Sequence, residues 1–208
     1  MSKYLITEMP LFSQSDMGDK PVVTVFLGQA ASGQTSLALK VATLKNNSVV
    51  VQFNNKRIDV EEFPSTVKLF DLEVYRASTH AELSNLCRKM TEEGKSVFVD
   101  WRCESKDRDT TKQAVDGLRR SFENIEVLLC LSSIHTEEYN KKIMRDRMGI
   151  VDGACYGMLD LCLNFTQIYN AAIEFSLPLK FFSTGQLIPD DIEYATPELV
   201  LAGMFKIK

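Results

Sequence analysis

Apolar runs of β-forming residues recur along this chain, and a stretch with helical character follows each of them. The five clearest runs are PVVTVFL (21–27), SVVVQF (48–53), SVFVD (96–100), IEVLLCLSS (125–133) and PLKFFST (178–184). Two weaker candidates are LEVYRAS (72–78) and GACYGML (153–159). Near-continuous apolar runs are typical of strands that are covered on both faces.

The intervening segments predict six helices. They cover 35–45, 79–94, 107–122, 136–148, 163–176 and 196–206. Thr79, Thr136 and Thr196 are expected to cap three of these helices at their N-termini. Alternating strands and helices predict an α/β fold, with a mostly parallel sheet and helices on both of its faces. We expect one domain over residues 21–208, preceded by a tail of residues 1–20.

Composition limits the function classes. The net charge is −4, which argues against a generally basic nucleic-acid-binding protein. The five cysteines form no CxxC pair and only two histidines are present, so the sequence offers little for a zinc site. No secretory signal is visible, and no apolar run approaches the roughly 20 residues of a membrane span. We therefore expect a cytoplasmic protein with reduced, mostly buried thiols.

The segment GQAASGQT (28–35) joins the first predicted strand to the first predicted helix. It matches the phosphate-binding pattern G-x-x-x-x-G-K-[ST] except that Gln34 stands where the pattern has lysine. Glycines let such a loop wrap around phosphate, and its N–H groups and the helix N-terminus bind the anion. A plain strand-turn-helix with two glycines is the alternative interpretation.

Gln34 is neutral, so it can donate hydrogen bonds to a phosphate but brings no charge. Hydrogen bonds to charged groups contribute roughly 1.5–3 kcal/mol, so loss of the cation should weaken nucleotide binding about tenfold to a hundredfold. Catalysis should suffer more, because the lysine stabilises the phosphoryl group during transfer.

Asp100 ends the predicted strand 96–100. A carboxylate at that position commonly holds Mg²⁺ through water, with the loop hydroxyl, here Thr35, as a direct ligand. A strand-end aspartate that caps a helix is the alternative. Trp101 follows, in the place of a compact turn that would sense the outermost phosphate, and a bulky aromatic there argues against such a sensor.

Several later segments, together with this loop, give the chain a family resemblance. They are NNKR (54–57), DWRCE (100–104), GMLD (157–160) and STGQLIPDDIEYATPE (183–198). In this order and spacing the chain resembles the GTPase domain of the signal-recognition-particle (SRP) family, most of all its flagellar FlhF branch. The resemblance covers about residues 21–206 and implies a P-loop GTPase fold.

Residue by residue, the resemblance is incomplete. It implies nucleotide contacts from eight positions: Gly28, Gly33, Gln34, Thr35, Ser36, Asp160, Gly185 and Gln186. The family's catalytic aspartate falls on Asn54, and its arginine is retained as Arg57. Asp100 is kept, but Cys103 and Glu104 stand in the glycine and arginine positions of its motif. In the guanine-reading motif, Gly157 and Met158 replace threonine and lysine.

The resemblance implies a degenerate GTPase. We expect weak or absent GTP hydrolysis, reduced affinity for GTP or GDP, and Mg²⁺ on Thr35 and Asp100 if the metal binds. The role implied is a binding or regulatory one in flagellar assembly or placement, with an FlhF-like homo- or heterodimer partner and no nucleic acid. Peripheral association with the inner membrane or cell pole would fit that role.

Two alternatives stay open at the level of sequence. The chain could be an active GTPase that uses a displaced cation, in cis or from a dimer partner. The weak catalytic candidates are Asp100, Arg57 and Arg102, and Lys40, Lys45 and Lys56 are further cations. The chain could instead be a protein-interaction scaffold that does not use nucleotide.

Overall fold

The computed structural model describes residues 22–53, 71–103 and 107–205. Its strands are β1 (Val23–Gly28), β2 (Ser48–Phe53), β3 (Glu73–Ala77), β4 (Ser96–Arg102), β5 (Ile125–Ser132), β6 (Gly153–Gly157), β7 (Leu179–Ser183) and β8 (Ile192–Tyr194). Its helices are α1 (Gln34–Thr43), α2 (His80–Glu92), α3 (Arg108–Ser121), α4 (Glu137–Arg147), α5 (Thr166–Phe175) and α6 (Pro197–Phe205). The 54–57 motif, Glu104 and the 1–20 tail lie outside the described residues.

The strands form one sheet in the order β3-β2-β4-β1-β5-β6-β7-β8. All neighbouring pairs are parallel except β7 and β8, which are antiparallel. The predicted mostly parallel α/β fold is confirmed, and every predicted strand and helix is present within a few residues of its expected bounds. β8 was not predicted, because three residues with a single buried side chain, Ile192, carry too little pattern.

Helices cover both faces of the sheet. On one face, α1 packs on the apolar residues Phe26, Val50, Phe98 and Leu128 of four strands. On the other face, a larger core includes residues from α2 to α6. Because successive strand residues point to opposite faces, neighbours such as Phe98 and Val99 enter different cores.

The predicted N-caps are confirmed. The side chains of Thr79, Thr136 and Thr196 accept hydrogen bonds from backbone N–H groups three residues later. α1 is different, because its N-cap residue Gly33 has φ 76° and no side chain caps the helix. The first turn of α1 therefore keeps its N–H groups for another acceptor.

β4 is longer than predicted and continues past Asp100 to Arg102. Trp101 is therefore a strand residue, paired with Leu27 of β1 and Phe53 of β2. Its ring packs edge-on against Phe53 at 4.8 Å and lies 5.6 Å from His80. The prediction that Trp101 takes the place of a turn beside the phosphate is wrong: it belongs to the core on the face opposite α1.

The cysteines and the lengths of the helices bear on the expected free thiols and on the expected absence of a membrane span. All five cysteines are free, and all but Cys162 are buried. Within the described ranges, no helix is long and apolar enough to span a membrane.

Candidate functional site

The predicted phosphate loop lies at the carboxyl end of β1, where the flanking strands β4 and β5 also end. This is the edge at which ligands bind in open parallel α/β sheets. The loop turns through two left-handed residues, Ala31 with φ 63° and Gly33 with φ 76°. The second suits glycine, whereas the first carries a strained alanine of the kind found at functional turns.

Gln34 points towards the sheet. Its Nε2 donates a hydrogen bond of 2.7 Å to Oδ1 of Asp100. Both side chains are buried, with 4% of Gln34 and 7% of Asp100 exposed. The residue that replaces the loop lysine therefore joins the loop directly to the predicted metal-binding carboxylate.

Thr35 contacts the other oxygen of the same carboxylate. Its Oγ1 donates a 2.8 Å hydrogen bond to Oδ2 of Asp100, and the Gln52 side chain of β2 contributes a further hydrogen bond. Asp100 thus does not cap a helix, which was the alternative interpretation. No sequence pattern indicated the contact between Gln52 and Asp100, but the register of β2 on β4 places the two residues opposite each other.

The oxygens of Thr35 and Asp100 are of the kind that Mg²⁺ prefers. They lie side by side at the edge of the loop, so these residues fit the metal that the fold implies. A metal bound directly to Oδ1 of Asp100 would have to displace the Gln34 amide. Elsewhere among the described residues, no group of three or more His, Cys, Asp or Glu side chains could hold a metal ion.

Burial raises the pKa of Asp100, and the hydrogen bonds from Gln34 and Thr35 and the charge of Arg102 oppose this shift. The folded chain therefore holds the Asp100 proton more tightly than the unfolded chain, whose pKa is the ordinary 3.8. The stabilising contribution of this group is complete below pH 3.8 and is lost as the pH rises through the folded value.

We expect Asp100→Asn to raise the free energy of unfolding at pH 7 by about 1 kcal/mol, as substitutions that remove strain from functional sites commonly do. The amide oxygen can accept from Gln34, and the hydroxyl of Thr35 can rotate to accept from the new amide. The advantage over wild type should grow as the pH rises above 3.8. Urea unfolding across the acid range measures it.

Asp109→Asn is the control for this change, because the Asp109 side chain is 92% exposed. It should alter stability by no more than about 0.5 kcal/mol. A loss of stability in Asp100→Asn at pH 7 would show that the fold requires the charged carboxylate.

Two oxygen atoms inside the loop have no hydrogen-bond partner among the described residues. They are Oε1 of Gln34 and Oγ of Ser32, and both are buried. A methyl group added at Gly28 would lie 2.3 Å from the first and 2.4 Å from the second. Gly28 is thus needed for close packing under these side chains, and Ser32 is a loop contact that the sequence pattern did not indicate.

The segment predicted to read guanine follows β6. Gly157 lies against the loop, since a methyl group there would be 3.3 Å from the Ser32 carbonyl oxygen. Met158 has a left-handed φ of 61°, and the Ser133 hydroxyl donates to its carbonyl oxygen at 2.6 Å. Asp160 lies on the short 3-10 turn Leu159–Leu161 and is exposed, as a side chain that binds a base must be.

Lys40 links α1 to the loop that follows β7. This lysine is fully buried, and its Nζ donates to Oγ of Ser183 at 2.8 Å and to the carbonyl oxygens of Gly185 at 2.7 Å and Asp191 at 3.0 Å. Gln186 is exposed next to Gly185. The structure therefore brings Gly185 and Gln186 to the same edge as the phosphate loop, held by a lysine whose role was not predicted.

Of the cations proposed to replace the missing lysine, Lys40 and Lys45 are poorly placed for that role. Lys40 is committed to the loop after β7, and Lys45 lies beyond the far end of α1, roughly 15 Å along the helix from Thr35 at a rise of 1.5 Å per residue. Arg102 is exposed at the end of β4, and its positive charge acts to lower the pKa of Asp100. Lys56 and Arg57 lie outside the described residues.

Tyr139 contacts the phosphate loop from the first turn of α4. Its hydroxyl donates a 2.8 Å hydrogen bond to Oε1 of Gln29, and its ring meets the His135 ring edge-on at 4.9 Å. His135 lies in the loop that follows β5. No sequence signal marked Tyr139, because 110 residues separate it from its partner.

No protein-family model matches the chain, and no curated protein is similar to it in sequence. Solved structures do match. The structure of FlhF complexed with GTP and Mg²⁺ has a TM-score of 0.80 and 20% identity, and the match covers 97% of this chain and 81% of that chain.

Two FtsY structures are also similar. Chloroplast FtsY from Physcomitrella patens has a TM-score of 0.78 and 20% identity, over 98% of this chain and 72% of that chain. The signal recognition particle receptor FtsY from Elizabethkingia anophelis, in complex with GDP, has a TM-score of 0.79 and 16% identity. That match covers 100% of this chain and 70% of that chain. At these identities the likeness shows the fold alone: the chain has the fold of the SRP-type GTPases FlhF and FtsY.

Proposed function

We propose that this chain is a degenerate FlhF-like GTP-binding protein with weak or absent hydrolysis. Its role would be a binding or regulatory one in flagellar assembly or placement, in the cytoplasm or peripherally at the inner membrane or cell pole. The observation that carries the proposal is the 2.7 Å hydrogen bond from Gln34 to Asp100. A neutral amide stands in the lysine position and is bonded to Asp100, the carboxylate that we expect to hold Mg²⁺ if the metal binds.

A protein partner is part of the proposal. Four exposed apolar side chains follow the carboxyl ends of β5, β6 and β7: Ile134, Leu161, Leu163 and Leu187, exposed by 53%, 59%, 88% and 63%. They lie at the same edge of the sheet as the phosphate loop. Exposed apolar side chains on the edge that carries the site fit an FlhF-like partner or a second copy of this chain.

Phosphate release from GTP in the presence of Mg²⁺ tests the proposal. We expect turnover at least about a hundredfold below that of an intact family member, because the lysine's charge is missing where the phosphoryl group would be transferred. The chain should be assayed alone and with an FlhF-like partner. Turnover close to that of the intact protein would refute a pseudo-GTPase.

An active GTPase with a displaced cation is the second candidate, and the position of Arg102 favours it. This arginine is exposed, and its charge acts on Asp100. If it supplies the missing charge, phosphate release should be measurable and Arg102→Ala should abolish it. Arg120→Ala, on the last turn of α3, is the matched control and should leave turnover unchanged.

A further inference from the structure

The position of Gln34 bears on whether the loop accepts a nucleoside diphosphate or a triphosphate, an inference that rests on the proposed nucleotide binding. Gln34 donates its amide hydrogen to Asp100, so its Oε1 faces the interior of the loop next to Gly28. The Ser32 hydroxyl lies on the same side, and neither oxygen has a hydrogen-bond partner among the described residues. The corner is thus lined by oxygen rather than by a cation.

An amide oxygen and a phosphate oxygen are both hydrogen-bond acceptors, so they repel each other at close range. A phosphate group that reached this corner would require the Gln34 side chain to turn away. That movement would break a charge-assisted hydrogen bond inside the protein, which is among the stronger kinds. Asp100, only 7% exposed, would be left with fewer donors.

Mg²⁺ could compensate Asp100 for that loss. The metal would take the place of Gln34 at the carboxylate, with Thr35 beside it, since hydroxyl and carboxylate oxygens suit Mg²⁺. A metal bound directly to Oδ1 of Asp100 would therefore displace the Gln34 amide from that oxygen. A nucleotide whose phosphate chain stops short of the corner needs neither the metal nor the rearrangement.

The phosphates closer to the nucleoside, which do not reach the corner, have other hydrogen-bond donors. The first turn of α1 begins without a side-chain cap, so its N–H groups can bind an anion. Gly33 has a left-handed φ and gives the loop its close approach. These backbone groups stay available while Gln34 remains on Asp100.

We propose that the loop selects guanine nucleoside diphosphates over triphosphates and binds them without Mg²⁺. Gln34 is the specificity-determining residue, because its amide substitutes for the metal at Asp100. The selected state is the one in which the hydrogen bonds from Gln34 and Thr35 to Asp100 are intact.

Calorimetric titration of the whole chain tests this with GDP and a non-hydrolysable GTP analogue, each in EDTA and in excess Mg²⁺. We expect GDP to bind about tenfold more tightly than the analogue, and its affinity to differ by less than about threefold between EDTA and Mg²⁺. Tighter binding of the analogue in Mg²⁺, or a gain of about tenfold or more for GDP on adding Mg²⁺, would overturn the proposal.

Two variants of Gln34 and one control identify the responsible group. Gln34→Leu removes the amide and should bring the analogue with Mg²⁺ to within about threefold of GDP, and Gln34→Lys should reverse the preference. Gln113→Leu, a glutamine exposed on α3, should behave as wild type. If Gln34→Leu kept the full diphosphate preference, the assignment to Gln34 would be wrong. Circular dichroism checks that each variant folds. If a variant does not fold, the titrations of the wild-type chain still test the diphosphate preference.

The outcomes separate this inference from the proposed function. Binding with a triphosphate and Mg²⁺ preference overturns the inference and leaves a nucleotide-binding protein. If neither GDP nor the analogue binds in EDTA or in Mg²⁺, the nucleotide-binding role is overturned, and the inference with it. High turnover, measured separately, bears on the pseudo-GTPase proposal alone.

Discussion

Replacing Lys40 with methionine should lower the free energy of unfolding by about 3 kcal/mol, because one buried and two partly buried acceptors lose their donor at once. The methionine keeps the apolar length of the side chain, so little packing is lost. The ammonium group now donates to Ser183, Gly185 and Asp191. Urea unfolding of wild type and variant at pH 7 measures the difference.

The alkaline pH dependence provides a second signature of Lys40. Burial lowers the pKa of Lys40, and the charges of Asp191 and Asp160 oppose that shift. The unfolded chain, with the ordinary value of 10.5, then binds the proton more tightly than the folded chain. The stability of wild type relative to Lys40→Met should therefore rise with pH between the lowered pKa and 10.5.

Lys89→Met, on the exposed side of α2, is the matched control and should change stability by no more than about 0.5 kcal/mol. If Lys40→Met were as mild as this control, the three hydrogen bonds could not be holding the loop after β7 in place. Lys40 also connects α1, which starts at the phosphate loop, to the carbonyl oxygen of Gly185. Its loss should separate the two halves of the site.

The sheet could be predicted because its strands are buried on both faces. In β1, β4 and β5 that burial produces apolar runs which no surface strand or amphipathic helix would show. The position of the loop followed from its glycines, because a left-handed backbone conformation such as that of Gly33 favours glycine in the sequence. Both signals are local, so a single sequence contains them.

The error at Trp101 arose from one strand boundary. With a strand that ends at Asp100, the next residue falls into a turn beside the site. With the strand continuing to Arg102, the alternation of side chains places Trp101 on the face opposite Asp100. A shift of two residues at a strand end, which is the usual error of such predictions, thus moved a large side chain across the sheet.

The contacts within the site could not be predicted, because they join distant residues. Gln34 is 66 residues from Asp100, and Lys40 is 143 residues from Ser183. The sequence showed that a lysine is missing at position 34 but not that the amide would turn to Asp100. One signal was available for Lys40: it lies between apolar residues on a helix that is buried on most sides, where a charge needs a partner.

Gly28→Ala should destabilise the chain by about 2 kcal/mol, the usual cost of overpacking a dense region. The added methyl group would lie 2.3 Å from Oε1 of Gln34, 2.4 Å from Oγ of Ser32 and 2.8 Å from Cβ of Gln34. Both side chains must move, and Gln34 cannot move without giving up its hydrogen bond to Asp100. Thermal and urea unfolding of the purified variant measure the cost.

The origin of that cost can be tested by removing the atoms that the methyl group meets. In a Ser32→Ala/Gln34→Ala background, Gly28→Ala should cost only about 1 kcal/mol, since the contact with Cβ of residue 34 remains while the two oxygens are gone. Gly117→Ala on α3, where the nearest heavy atom is 3.8 Å from the new methyl group, is the control and should not destabilise. An undiminished cost in the double-alanine background would mean that the backbone of the loop, rather than Gln34 and Ser32, requires glycine at position 28. The loop would then owe its shape to its main chain, and the coupling between Gln34 and Asp100 would be a consequence of that shape rather than its cause.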